Sequence, residues 1–149
     1  MQLEETLAGV DPGTPTAERG DQLAAALASS LASRPVLCDL LSAQAAVLER
    51  NVSPLVAAAF KRTAMANAAA LGRLIQAGLG ELGEHDSFRL AGATVLVAGA
   101  VWPSAQPSAA MLAAYQADPE LAAMRLDFAA TVREVLEVLI AGLLARSSR

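Results

Sequence analysis

Leu23, Leu27 and Leu31 recur at four-residue intervals in a stretch that opens at Pro15 or Thr16. That spacing predicts one apolar face of a helix running to about Ser33. Ahead of it, Asp11-Pro12-Gly13-Thr14-Pro15 is a break, and Met1 to Gly9 reads as a short helical piece. Arg34-Pro35 ends the helix, because the residue before a proline avoids the helical region. Pro35 suits the first turn of the next helix, which carries Leu37, Leu41, Gln44 and Leu48 on one face and is expected to end near Asn51. Ser53-Pro54 then supplies an N-cap followed by a proline at the first helical position. The helix it opens extends to about Leu79, ~25 residues or roughly 38 Å at the standard rise. Gly78, Gly80 and Gly83 fray its end. Asp86 or Ser87 is the expected cap of an apolar helix through Trp102, followed by a Pro103–Ser108 loop and a short helix over Ala109–Gln116. Asp118-Pro119-Glu120 opens a final helix, expected to run unbroken to about Arg146. Its apolar stripe is Met124, Phe128, Val132, Val135, Leu136, Leu139 and Leu143, with Arg133, Glu134 and Glu137 on the other side.

Composition agrees with this reading. Of 149 residues, 54% are hydrophobic and 17% charged, which excludes a disordered acidic tail. Aromatics are only 3%, so the core must be built from Leu, Val, Ala and Met. Ala and Leu favour helix, whereas strands favour β-branched and aromatic residues. The expected class is all-α, an orthogonal bundle of about six to seven helices. The net charge of −4 and the single lysine, Lys61, make the chain itself a poor partner for nucleic acid. The longest apolar run, Leu90 to Trp102, falls short of the roughly 20 residues a membrane helix needs. No membrane role is expected, and the single cysteine, Cys38, suits a reducing, cytoplasmic setting.

Little in the chain suits catalysis. One His and one Cys would have to supply any nucleophile–base pair, and nothing places a nucleophile near His85. His85 lies in the turn Gly83-Glu84-His85-Asp86, where adjacent residues rarely converge on one ion, so no metal or other cofactor is expected. Cys38 has no neighbouring cation to activate it and reads as an inert buried thiol. Gly78-Leu79-Gly80-Glu81-Leu82-Gly83 has glycines but follows a helix rather than a strand, so it is no phosphate loop.

The order of elements resembles a known family. Leu48-Glu49-Arg50-Asn51-Val52-Ser53, followed by a long helix with Phe60-Lys61-Arg62, resembles the junction of helices six and seven in many TetR-family regulators. An apolar helix ending in Val101-Trp102-Pro103, a Pro/Ser-rich loop and a long C-terminal helix resemble that family's last two helices. The resemblance covers about Ala17 to Arg146. It implies a regulatory, ligand-binding and dimerisation domain over residues 17–146, and not an enzyme. Residues 1–10 read as the remnant of a linker helix to a DNA-binding domain that this sequence does not include, so DNA would be bound only through that domain.

Two sets of residues become candidates. Gln44 and Asn67 interrupt apolar stripes, as expected where a mostly apolar pocket needs a few orienting polar groups. With Leu41, Phe60, Thr63, Leu71 and Trp102 they form the expected binding site for an unknown small-molecule effector; amides bonded to backbone or facing water, and aromatics packed in the core, are the plainer alternatives. The Leu90–Trp102 helix is apolar nearly all round, so it must be covered on more than one side. Gly92, Leu96 and Gly99 on that helix, with Val132, Leu136, Leu139 and Leu143 on the last, are the expected homodimer interface. The resemblance implies a four-helix bundle there. The alternative is a ligand-free helical protein–protein interaction module.

Overall fold

A computed structural model describes residues 13–47 and 52–147. Among them are seven α-helices and no strand: α1 Thr16–Ala32, α2 Pro35–Val47, α3 Pro54–Gly78, α4 Gly83–Ser104, α5 Ala109–Ala117, α6 Pro119–Ala123 and α7 Phe128–Ser147. The expected linker remnant over residues 1–10, and Leu48 to Asn51 of the family-like junction, lie outside the described residues.

Local chemistry sets most of the boundaries. The Ser53 side chain accepts from the Val56 N–H with Pro54 behind it, and Ser108 accepts from the Met111 N–H at the start of α5. Asp118 accepts from the N–H groups of Glu120 and Leu121. Each side chain satisfies helix-start donors that would otherwise have no partner. Arg34 marks a corner at which α1 and α2 meet at 92°.

Three boundaries differ from the sequence expectation. First, α4 begins at Gly83 rather than at Asp86 or Ser87. Gly83 has φ 69°, a conformation open to glycine that turns the chain out of the short 3-10 turn Gly80–Leu82. Second, α4 continues through Pro103 to Ser104. The ring removes only the bond to the Gly99 carbonyl, and the Ala105 N–H closes the helix on Val101 and Trp102. Third, the final helix is broken. α6 stops at Ala123, and Asp127 restarts the chain by accepting from the Ala130 N–H at 2.8 Å. Met124 therefore leaves the stripe it was assigned to and stands 74% exposed.

Helix α4 is central: α2, α3 and α7 all pack on it, and α1 packs on α7. The core is Leu23, Ala24, Leu27 and Ala28 of α1, Cys38 of α2, Ile75 of α3, Leu90, Ala91, Ala98 and Trp102 of α4, and Phe128, Val132, Leu136 and Ile140 of α7, joined by Leu79 and Leu82 from the turn between α3 and α4. Helices α5 and α6 pack on each other and bury no residue. No single helix among the described residues is long and apolar enough to cross a membrane.

Candidate functional site

The right-angled corner between α1 and α2 leaves a cavity of about 510 Å³ bounded by α1, α2, α3 and α4. Its walls are mainly aliphatic, with Leu27 and Leu31 from α1, Leu37 and Leu41 from α2, and Leu71 from α3. Small side chains, Ala64 and Ala68, keep space open along α3. Five uncharged polar side chains interrupt the apolar wall: Ser30, Gln44, Thr63, Asn67 and Thr94. The hydroxyls of Thr63 and Thr94 donate to the carbonyls one turn back, Ala59 at 3.2 Å and Leu90 at 2.8 Å. Both oxygens keep acceptor capacity. The amides of Gln44 and Asn67 have no hydrogen-bond partner among the described residues.

Leu41, Gln44, Phe60, Thr63, Asn67 and Leu71, singled out from sequence, all line this one cavity. Two particulars differ from the expectation. Asn67 is exposed rather than buried, and Gln44 is half-buried. The unpaired amides are therefore open to water and to a guest, without a buried-amide penalty. Trp102 does not line the cavity. It is buried against Phe128, ring centroids 4.9 Å apart and nearly perpendicular, and its indole N–H donates to Asp39 Oδ1 at 2.6 Å. An indole at the end of a helix had a core role open to it, and the N–H found a carboxylate on α2 instead of a cavity.

Sequence reasoning missed Arg34, Leu27, Ser30 and Thr94 as cavity residues. Arg34 had been read only as the end of a helix. The signal was its position at a sharp interhelical corner, which brings the side chains of both flanking helices to one place.

The expected dimer residues separate into two groups. Val132 and Leu136 are fully buried in the subunit's own core. Gly99 is a close-packing point inside the subunit: a Cβ there would lie 3.0 Å from the Leu41 carbonyl oxygen. Its lack of a side chain lets α2 cross α4, so it is not available to a second chain. Leu139 and Leu143 are half-buried against the core. Gly92 and Leu96 do face outward. Leu96 is 75% exposed, and the space above Gly92 is open. On α7, Val138 is 69% exposed and Gly142 is likewise open. Gly92 and Leu96 of α4 and Val138 and Gly142 of α7 are thus open, on two helices that pack together.

Two other clefts are chemically different. One, between α1 and α7, carries Asp21, Glu81 and Glu137. Glu81 is engaged with Arg19 and Thr16, and Glu137 accepts from Arg133 at 2.6 Å. The other lies over Gly72 and Phe88 with Arg73, Glu84 and His85 around it. Among the described residues no group of three or more His, Cys, Asp or Glu side chains converges as a metal would need. Cys38 is buried, its thiol donating to the Leu31 carbonyl, and burial together with the neighbouring Asp39 pushes its pKa up. A thiol held protonated in this way is a poor nucleophile.

A family model described as "Tetracyclin repressor-like, C-terminal domain" matches residues 2–147 of the chain. No curated protein matches it.

Proposed function

From its membership of the tetracycline-repressor-like C-terminal domain family, a regulatory rather than enzymatic family, we propose that this chain is the effector-sensing and dimerisation part of a TetR-like transcriptional repressor. The guest is a small apolar or amphipathic molecule held in the cavity between α1 and α4. The observation that carries this reading is an aliphatic cavity of about 510 Å³ with the unpartnered amides of Gln44 and Asn67 on its wall. Its size and its sparse polar groups fit the general pattern of small-molecule sites. Helix α2 is held to α4 by the Gly99–Leu41 approach and the Trp102–Asp39 bond, while its other side meets the cavity. A guest that fits one setting of α1 and α2 better than another shifts the population toward it. In a full-length dimeric repressor, a shift of a few Å in the spacing of the two DNA-reading heads weakens operator binding.

The partner is a second copy, meeting the face formed by Gly92, Leu96, Val138 and Gly142. Open glycines beside exposed Leu96 and Val138 allow close helix approach, and such a two-fold contact is isologous. Met111 and Leu112 of α5 and Leu121 of α6 are also exposed in the single subunit.

Mass spectrometry of the natively purified protein tests the sensor reading. A small molecule is expected to co-purify with the wild type and to be lost from Ala64→Trp, in which the indole fills the cavity. A molecule retained by a folded Ala64→Trp variant places the guest elsewhere and overturns the reading.

A further inference from the structure

Among the described residues, Arg34 is the one charged side chain on the wall of the α1–α4 cavity, and no carboxylate lines it. The guanidinium is exposed at the corner between α1 and α2. Its Nη1 donates to the Ser30 carbonyl at 2.8 Å and to the Ser30 hydroxyl. These bonds anchor the group on α1 through one nitrogen. No other hydrogen bond or ion pair engages it among the described residues. A guanidinium has five N–H donors, so the edge formed by Nε and Nη2 is free, and that edge matches the two oxygens of a carboxylate. Arg19, Arg89 and Arg133 each pair with an acid of this chain, whereas Arg34, on the cavity wall, has no acidic partner among the described residues.

We infer that the cavity selects an apolar monocarboxylate, a medium-chain acyl or aryl acid whose body lies among the leucines and whose carboxylate is held by Arg34. This rests on the cavity reading above and adds the charge of the guest. A neutral guest would leave the unpaired edge of Arg34 to water, and a cationic one would meet a like charge with no acid among the described cavity residues to balance it. Gln44, Thr63 and Asn67 stand on the α2 and α3 walls and are uncharged, so they tolerate either a hydroxyl or a carbonyl on the guest's body without competing for its charge.

Calorimetric titration with submicellar decanoate, decanol and decyltrimethylammonium is the test, on the wild type, Arg34→Gln, Arg34→Lys and Ala64→Trp. Wild type is expected to bind decanoate about tenfold more tightly than decanol, as a bidentate charge-assisted contact at an exposed site would give, and the cation most weakly. Arg34→Gln should remove the difference between decanoate and decanol, and Arg34→Lys should restore part of it. Ala64→Trp should bind neither. Because Arg34 is exposed, its variants are expected to unfold at the wild-type temperature without ligand. Equal binding of decanoate and decanol by wild type, or a preference unchanged in Arg34→Gln, overturns the carboxylate assignment and leaves the cavity reading standing. Failure of all three probes to bind, or equal binding to Ala64→Trp, overturns both.

Discussion

The indole nitrogen of Trp102 donates to Asp39 Oδ1 at 2.6 Å, joining the end of α4 to the exposed side of α2. The bond is charge-assisted, and its donor belongs to a buried ring. Asp39→Ala should therefore lower stability by about 1–2 kcal/mol, because the indole N–H loses its acceptor in a partly desolvated position. Trp102 is the only tryptophan, so its emission reports this contact directly. A red shift in Asp39→Ala together with a lower midpoint in urea is the expected result. Unchanged emission would mean that the indole does not depend on Asp39.

The crossing of α2 and α4 depends on Gly99. A Cβ at this position lies 3.0 Å from the Leu41 carbonyl oxygen and 3.3 Å from its carbon, both backbone atoms that cannot rotate away. Gly99→Val should separate the helices and cost about 1–3 kcal/mol, the usual range for overpacking. Leu41 also lines the cavity. The same variant should then alter binding of an apolar probe, which a purely local defect would not do. Urea denaturation followed by titration of the folded variant with decanoate checks both effects.

The helices were legible in the sequence wherever a cap and a period coincided. Ser53-Pro54 and Asp118-Pro119 mark helix starts in both. The break before α7 was not seen, because Met124 and Phe128 keep a four-residue spacing across it and the cap, Asp127, lies inside that pattern. Six of the cavity residues were found because each sits on a stripe whose neighbours are apolar. Arg34 was missed because periodicity describes faces within a helix and says nothing about the corner between two helices. The glycines of α4 illustrate the same limit. Gly92 and Gly99 share a face by spacing, yet one is open and the other touches α2. Which small residue meets its own chain and which meets solvent is a property of tertiary packing.

Ser87 is 1% exposed, and its hydroxyl has no hydrogen-bond partner among the described residues. Sequence marked it as a possible helix cap, but α4 starts earlier and carries it inside. A buried, unsatisfied hydroxyl costs on the order of 1–3 kcal/mol. Ser87→Ala removes that cost, leaves the shape nearly unchanged and substitutes a better helix former. The expected result is a gain of about 1 kcal/mol in thermal or urea unfolding. A loss of stability would show that the hydroxyl has a partner in solution, such as an ordered water.

Leu96 and Val138 provide the test of the dimer face. Both are largely exposed in the single subunit, on helices that pack together. Leu96→Glu and Val138→Glu should each give a folded monomer by sedimentation velocity, since neither side chain supports the internal core. Leu136→Glu serves as the contrast: Leu136 is fully buried, so the charge should unfold the subunit. An unaltered dimer for both surface variants would remove α4 and α7 from the interface.

Glu81 links the start of α1 to the turn before α4. It accepts from the Thr16 hydroxyl at 3.0 Å and pairs with Arg19. Its carboxyl titrates below the ordinary value, first because its own backbone N–H donates to it, and then because of Thr16 and Arg19. A folded-state pKa below the unfolded one means that the ionised form favours the fold. That contribution is fully present above the unfolded value of about 4.3 and is lost as pH falls through the lower, folded value. Glu81→Gln should therefore melt below wild type at about pH 7, by a modest margin because the group is exposed and screened by salt. The margin should narrow on acidification below the ordinary glutamate range, where both side chains are neutral. A margin that stays constant throughout would show that the carboxylate's charge does not support the contact between α1 and the turn.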